Sequence, residues 1–252
     1  MSMTETARNN HEALFPGRES TLQQTDPELI DVFDNFAFDE VLAYGDVDTK
    51  TRIMVILASL IAQQALSEFK VMLSAALTVG VTPVEIKEIV YQSVPYAGIA
   101  KAFDFIHATN EFLTARGVSL PLEGQSTTTR ETRQEEGLAA QKAIFGDRID
   151  RMYEQSPPDQ KHIQRFLSAN CFGDYYTRRG LDLRLRELLT FVMLISMGGC
   201  EPQVKGHVQG NLNAANDRAF LLAVVTQLLP FIGFPRALNA IAAINEVAPS
   251  AT

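Results

Sequence analysis

The chain has 252 residues, a formal net charge of −8 and two cysteines. This length allows one large domain or two small ones with a buried core. The acidic balance argues against a general attraction to nucleic acid or anionic membrane, and two cysteines make no disulfide framework. No apolar run reaches the roughly 20 residues that span a bilayer, and the N-terminus lacks the apolar stretch of a signal peptide. We therefore expect a cytoplasmic protein that binds neither nucleic acid nor membrane.

The first part of the chain divides into a polar arm and a helical region. Residues 1–25 are polar and lack periodicity, which predicts a flexible N-terminal arm. Residues 26–117 carry apolar side chains at helical spacing. Within them Asp48 is suited to cap a helix that is apolar on nearly every face. The run Thr82-Pro83-Val84-Glu85 predicts a capping box with proline at the first helical position.

The second part repeats this organisation after a break. Residues 118–137 are rich in Ser, Thr, Gly and charge, and they predict a linker. Residues 138–252 again show helical periodicity, and no segment shows the alternation typical of strands. The predicted fold class is therefore all-α.

An internal repeat relates the two helical regions. QSVPYAGIAKAFDFI from Gln92 matches QLLPFIGFPRALNAI from Gln227, 135 positions later. FDEVLAYGDVDTKTR from Phe38 matches FGDYYTRRGLDLRLR from Phe172, 134 positions later. We interpret residues 26–117 and 138–252 as two tandem helical bundles that pack as a pseudo-symmetric pair.

The two repeats differ in polar residues that suit chemistry. Gln203, His207 and Asn211 are spaced i, i+4, i+8 and so share one helix face, while Glu187 lies in the first turn of the preceding apolar helix. The sequence therefore predicts a site in the second repeat and a degenerate counterpart in the first. In the first repeat, Glu68, Met72 and Ala76 align with Gln203, His207 and Asn211, and Ile53 aligns with Glu187.

These stretches carry a family resemblance. GLDLRLRELLTF from Gly180, KGHVQGNLN around His207 and QLLPFIGFPRALNAI from Gln227 resemble the carboxymuconolactone decarboxylase family of the alkyl hydroperoxidase D-like superfamily. Residues 38–106 resemble it more weakly, so the whole chain is similar to a tandem two-domain member. The resemblance implies helical bundles, no metal or organic cofactor, and a homo-oligomer in which a trimer of fused pairs replaces a hexamer.

The decarboxylase branch of the family implies a small carboxylated lactone or related cyclic acid as substrate. Loss of carboxylate requires a proton for the carbon left behind and a cation to hold the substrate. His207 is the predicted proton donor because histidine titrates near neutral pH. Glu187 is predicted to orient His207 or to act as a base. The candidate substrate-binding residues are Arg184, Arg186, Gln203 and Asn211.

Two alternatives remain open at this point. The peroxidase branch uses a glutamate, a CxxC pair and a histidine, which makes Cys200 a candidate catalytic residue for a peroxiredoxin-type activity. The second cysteine of the pair is Gln203 here, so a dithiol cycle lacks its resolving thiol unless the fold brings Cys171 close. The other alternative is an oligomeric binding protein without catalytic activity.

Overall fold

The computed structural model describes residues 2–250, and within that range the chain forms helices and no β-strand. The all-α prediction is therefore confirmed for the described residues. The first half contains helices α1 Glu5–Leu14, α2 Pro27–Phe38, α3 Thr49–Gln63, α4 Leu66–Thr78, α5 Pro83–Ala97 and α6 Ile99–Ala115, with a 3₁₀ turn at Glu40–Ala43.

The second half repeats this order with one additional short helix, α8. A π-helical stretch, Leu167–Tyr176, continues directly from α9 and takes the place of the end of α2. The helices of this half are α7 Arg133–Phe145, α8 Arg148–Gln155, α9 Lys161–Phe166, α10 Leu183–Met197, α11 Glu201–Asn213 and α12 Arg218–Val247.

The N-terminal segment differs from its predicted flexible state. It forms α1, with Ala7, Leu14 and Phe15 buried in the main core. Thr4 caps this helix by accepting a hydrogen bond from the Ala7 backbone amide at 3.1 Å. Ala7 and Leu14 lie on one face of this helix and Phe15 follows directly, so the polar composition of the segment concealed a docked amphipathic helix.

Helix α1 is also the counterpart of α7, which extends the internal repeat beyond its predicted start. Phe15 packs edge-on against Phe38 at 6.3 Å between ring centroids, and Phe145 packs in the same way on Phe172, also at 6.3 Å. Because Phe38 and Phe172 match in the repeat, α1 and α7 occupy equivalent places. Residues 133–137 of the predicted linker belong to α7.

The two halves meet along α3 and α10, which pack against each other at the centre of the molecule. The hydroxyls of Ser59 and Ser196 lie 2.8 Å apart at this contact. The predicted caps are confirmed: Asp48 accepts from the Thr51 amide, and the Thr82 capping box is complete. These local signals fix where α3 and α5 begin.

Helices α5 and α12 cross to the opposite half. Phe231 of α12 packs edge-on against Phe33 of α2 at 6.0 Å, and Tyr96 of α5 reaches Tyr176 in the second half. Each bundle is therefore completed by a helix from the other. This exchange is what positions the site described below.

Helix α12 is, within residues 2–250, the one helix long and apolar enough by length and composition to cross a bilayer. It is broken at Gly233, where φ is 76° and ψ is 162°. Its side chains Leu221, Val224 and Leu228 are fully buried in the core. The break divides it into two helical segments, and these three side chains belong to the main core.

Replacing Phe15 with alanine tests whether the N-terminal helix belongs to the core. Phe15 is 5% exposed, so the cavity left behind is expected to lower the free energy of unfolding by about 3 to 5 kcal/mol. Leu22, which is 44% exposed, is the matched control, and its alanine variant is expected to unfold like the parent protein. Denaturant titration followed by circular dichroism measures both, and equal stability of the two variants would contradict the docked helix.

Candidate functional site

A buried carboxylate–imidazole pair lies at the centre of the second half. Glu187 of α10 is fully buried, and its Oε2 lies 2.9 Å from Nδ1 of His207 on α11. An ionised carboxylate only accepts hydrogen bonds, so the proton of this contact belongs to Nδ1. The other ring nitrogen, Nε2, is left for a ligand. The predicted proximity of Glu187 and His207 is thus present in the structure.

The second oxygen of this carboxylate is held by tyrosine. The Tyr176 hydroxyl donates to Glu187 Oε1 at 2.7 Å and lies 2.6 Å from the hydroxyl of Thr190. Gln92 of α5 donates to Thr190 Oγ1 at 3.0 Å. Thr190 is thereby free to donate to Tyr176, and the direction of every bond in this chain runs towards Glu187. The carboxylate is the common acceptor of the network.

Tyr96 and Cys171 continue the network back to the surface of a cavity. The Tyr96 hydroxyl donates to the Tyr176 hydroxyl at 3.2 Å, and the Cys171 thiol lies 3.6 Å from Tyr96. Burial raises the pKa of both tyrosines well above the usual range, and nearby Glu187 adds to the rise. Both hydroxyls are therefore protonated donors at neutral pH. Burial also raises the pKa of Cys171 to about 12.

The backbone of α11 leaves room for the carboxylate at Gly210. A Cβ atom at this position would overlap Glu187 Oε2 and lie 2.9 Å from a ring carbon of Phe145. Asn211, the next residue, donates to the backbone carbonyls of Glu187 and His207 at 3.0 and 2.7 Å. Glycine and asparagine together let α11 pack closely on α10, which sets the distance between His207 and Glu187.

A cavity of about 460 Å³ opens beside His207. Helix α8 borders it, and the guanidinium of Arg148, at the start of α8, lies 3.7 Å from where a Gly206 side chain on α11 would begin. No ion pair within residues 2–250 involves Arg148, so its guanidinium is available to an anion. The remaining lining is mostly apolar and includes Tyr96, Phe145, Ile149, Met152, Leu167, Cys171, Phe172, Leu194 and Pro202.

The predicted substrate-binding residues have different positions relative to this cavity. Gln203 lines it, whereas Asn211 is fully buried and serves the helix contact described above. Arg186 is buried and binds Glu88 and Gln92, and Arg184 binds Asn216 and lies over the ring of Phe220. Neither arginine lines the cavity. Both side chains instead make contacts that join segments of the bundle, because neighbouring residues of a helix point in different directions and Glu187 is the one that faces His207 on α11.

Cys200 also lies apart from the His207 cavity. Its thiol donates to the Leu194 carbonyl at 3.2 Å, and it borders a separate space of about 30 Å³. Burial and the nearby Glu201 raise the pKa of this thiol. A raised thiol pKa disfavours the thiolate that nucleophilic or redox chemistry requires. The structure therefore provides no activation for the predicted role of Cys200.

The first half lacks most of this network, although Gln227, which matches Gln92, keeps its amide. At the matching positions, residues capable of hydrogen bonding or proton transfer are replaced by apolar ones. The predicted loss of polar character in the first repeat thus extends to the residues that surround the pair. The substitutions, written from second to first half, are Glu187 to Ile53, His207 to Met72, Asn211 to Ala76, Tyr176 to Leu42, Thr190 to Ile56 and Cys171 to Ala37.

Several site residues were absent from the sequence prediction. Tyr96, Tyr176 and Thr190 lie in apolar helices and resemble core residues in sequence. Alignment of the two repeats could have identified them by their polar groups. Tyr96 aligns with Phe231, and the other two align with aliphatic residues. Arg148 had no such signal, because Arg18 occupies the equivalent place after α1.

Comparison with known proteins gives a consistent family. The sequence model of the carboxymuconolactone decarboxylase family matches residues 27–111 and 161–246. The chain is also 24% identical over 118 residues to the 4-carboxymuconolactone decarboxylase of Acinetobacter baylyi. That match covers 46% of this chain and 87% of the relative. The relative thus aligns with a part of the chain about the size of one repeat.

Substituting alanine for Gly210 tests whether close helix packing holds the pair together. The added methyl group is expected to displace the Glu187 carboxylate and to lower the free energy of unfolding by about 1 to 3 kcal/mol. Gly206, one turn earlier, meets only Arg148 at ordinary contact distance and provides the control. Proton NMR should show a downfield imidazole N–H signal from His207 in the parent and in Gly206→Ala, but not in Gly210→Ala. Persistence of that signal in Gly210→Ala would refute the packing argument.

Proposed function

Because the chain belongs to the carboxymuconolactone decarboxylase family, we propose that it decarboxylates a small carboxylated lactone or a related cyclic acid by proton transfer. The observation that carries this proposal is that His207, paired with the buried Glu187, lines a mostly apolar cavity. A pair of this kind supplies a positioned acid or base without a nucleophile. Decarboxylation, the activity named for the Acinetobacter baylyi relative, also needs a positioned acid, because the carbon that loses its carboxylate must receive a proton.

In the proposed reaction His207 exchanges a proton with the substrate through Nε2. Glu187 fixes the ring by accepting from Nδ1 and favours the protonated imidazolium as it forms. Tyr176 holds the other carboxylate oxygen, so the carboxylate keeps its direction during proton transfer. Loss of carbon dioxide leaves an electron pair on the ring carbon, and the imidazolium delivers the proton that neutralises it.

Arg148 takes the role that the sequence assigned to Arg184 or Arg186. As a free cation beside the cavity, it would bind a substrate carboxylate with two parallel hydrogen bonds. The apolar wall would contact the carboxylate that is lost and would exclude water from it. Exclusion of water favours bond cleavage, because the negative charge spreads from the carboxylate into the ring in the transition state. Gln203 lines the same cavity and is a candidate hydrogen-bond partner for the lactone.

The thiol alternative has weaker support in the geometry. Cys200 and Cys171 are both free cysteines with raised pKa, and only Cys171 lines the His207 cavity. At neutral pH a thiol of such pKa remains protonated and reacts slowly with peroxide. Peroxiredoxin-type activity therefore stays a prediction of the sequence that no contact in residues 2–250 favours.

The surface supports the homo-oligomer inferred from the sequence. Most exposed large apolar side chains in the described range occur at matching positions of the two halves. Four of them lie on α2 and α12, whose Phe36 and Phe234 rings stack at 6.5 Å, and the other four lie at the equivalent positions of α9 and α6. From the internal repeat we infer one patch for each set. The α2–α12 patch is Leu29, Val32, Phe234 and Leu238; the α9–α6 patch is Ile163, Phe166, Ile99 and Phe103.

We propose that the α2–α12 patch of one copy docks on the α9–α6 patch of the next. Such a contact joins two different surfaces and forms a closed ring when the rotation between copies allows it. A ring of three would place six similar bundles around one axis. This arrangement agrees with the trimer expected from the family resemblance.

Turnover of 4-carboxymuconolactone by purified variants tests the proposed reaction. His207→Ala is expected to lower kcat by about 10²- to 10⁴-fold, the usual contribution of a positioned acid or base. Arg148→Gln is expected to raise KM by about tenfold while changing kcat less, because it removes charge-assisted binding that the substrate and the transition state share. Cys200→Ser is the control and is expected to retain the parent rate.

Other outcomes of this experiment favour the alternatives. Peroxide reduction that disappears in Cys200→Ser would replace the proposal with the thiol mechanism. Turnover that is unaffected in His207→Ala would also overturn it. Absence of any turnover by the intact oligomer, across carboxylated lactones and peroxides, would favour a binding protein.

Charge substitutions in the apolar patches test the proposed assembly. Phe103→Asp and Phe234→Asp are each expected to convert the oligomer to monomers, because an unpaired carboxylate would be buried at the interface. Tyr44→Asp provides the control, since Tyr44 is 67% exposed and lies in neither patch. Light scattering after gel filtration gives the masses. A monomeric parent protein, or an oligomer that survives both substitutions, would contradict head-to-tail docking.

A further inference from the structure

A second cavity, of about 330 Å³, lies away from His207 and takes no part in the reaction proposed above. Its walls come from α5, from the connection between the two halves and from the segment that precedes α10. The lining includes Val84, Lys87, Glu88, Tyr91, Asn110, Arg178 and residues 120–125. The volume suits a small organic molecule, since ligand cavities commonly begin near this size.

Cations with unused donors face this cavity. Lys87 is 9% exposed, and its Nζ makes one hydrogen bond, to the neutral Asn110 side chain at 2.5 Å. An ammonium group has three donors, so two remain for a ligand. Arg178 binds Glu88 through Nε and Nη2, while its Nη1 has no hydrogen-bond partner among residues 2–250. Both cations lie near the ring of Tyr91, at 5.0 and 5.3 Å.

The acidic groups nearby do not occupy all the donors of these cations. Glu88 is 1% exposed on its side chain and accepts from both Arg178 and Arg186, so its two oxygens are already occupied. The other acid of the lining, Glu123, is exposed on the connection. The lining thus carries two cations and two carboxylates, and the buried Arg186, outside the lining, also binds Glu88. Because Glu88 is neutralised by two arginines and Glu123 is exposed, the unused donors of Lys87 and Arg178 favour an anionic ligand.

The rest of the wall indicates what kind of anion fits. Val84, Leu120, Pro121 and Leu122 provide an apolar surface beside the cations. An inorganic anion would leave this surface uncovered, whereas a carboxylate with an apolar body would contact both parts. We infer that the cavity binds a small organic carboxylate, with Lys87 and Arg178 as its charge partners. This site is separate from the His207 cavity and does not depend on the reaction proposed for it.

Calorimetric titration of the full-length protein with benzoate tests this site. Benzamide, which has the same ring and no charge, is expected to bind at least about tenfold more weakly, because charge-assisted hydrogen bonds are lost. Lys87→Met is expected to weaken benzoate binding by a similar factor, and Lys87→Arg to restore most of it. Circular dichroism and thermal unfolding establish that both variants are folded.

Two further arms separate the possible sources of a binding signal. Arg148→Gln removes the cation of the His207 cavity and is expected to leave benzoate binding at the second cavity intact. Loss of binding in Arg148→Gln together with normal binding by Lys87→Met would overturn the proposal, as would no binding by the parent. Inorganic phosphate is expected to bind more weakly than benzoate, and tighter phosphate binding with the same Lys87 dependence would refute the carboxylate assignment.

Discussion

The site of this protein depends on one fully buried carboxylate, that of Glu187. A charge at this depth is costly unless hydrogen bonds replace the water it has lost. Tyr176 and His207 supply those bonds, and Gly210 provides the space that lets α11 approach closely enough for the imidazole to reach. The orientation of His207 is therefore a consequence of how α10, α11 and the π-helical stretch satisfy one acid.

The two halves show what happens when that acid is absent. Ile53 occupies the place of Glu187, and the groups that would have served it are apolar as well. A tyrosine or asparagine in that interior without its acceptor would be a buried polar group with no partner. Replacement of the tyrosine, threonine, histidine and asparagine avoids most of this cost, although Gln227, which matches Gln92, keeps a buried Oε1 with no hydrogen-bond partner among the described residues. Most groups around the acid are therefore lost together with it, and the first half has a mostly apolar interior at the equivalent place.

Interactions between residues close in sequence were predicted correctly, whereas several contacts between residues far apart in sequence were missed. Caps such as Asp48 and Thr82 act within a few residues, and the helices they begin were correctly predicted. The pairing of Glu187 with His207 was accessible because comparison of the repeats marks both. Tyr96 was missed because its partner Tyr176 lies 80 residues away in the other half. Arg186 was predicted to bind substrate because it precedes Glu187 in sequence. Adjacent residues of α10 point in different directions, however, and Arg186 contacts Glu88 and Gln92.

The crossing of α5 into the second half has an implication for the integrity of the chain. Tyr96 and Gln92 belong to the first half, yet they hold groups around the carboxylate of the second. Proteolysis at residues 118–132 would yield one fragment with the imidazole and another with part of its support. Neither fragment alone would contain the complete set of contacts, and only their reassociation would restore it. The covalent tether thus keeps two mutually dependent pieces at high effective concentration.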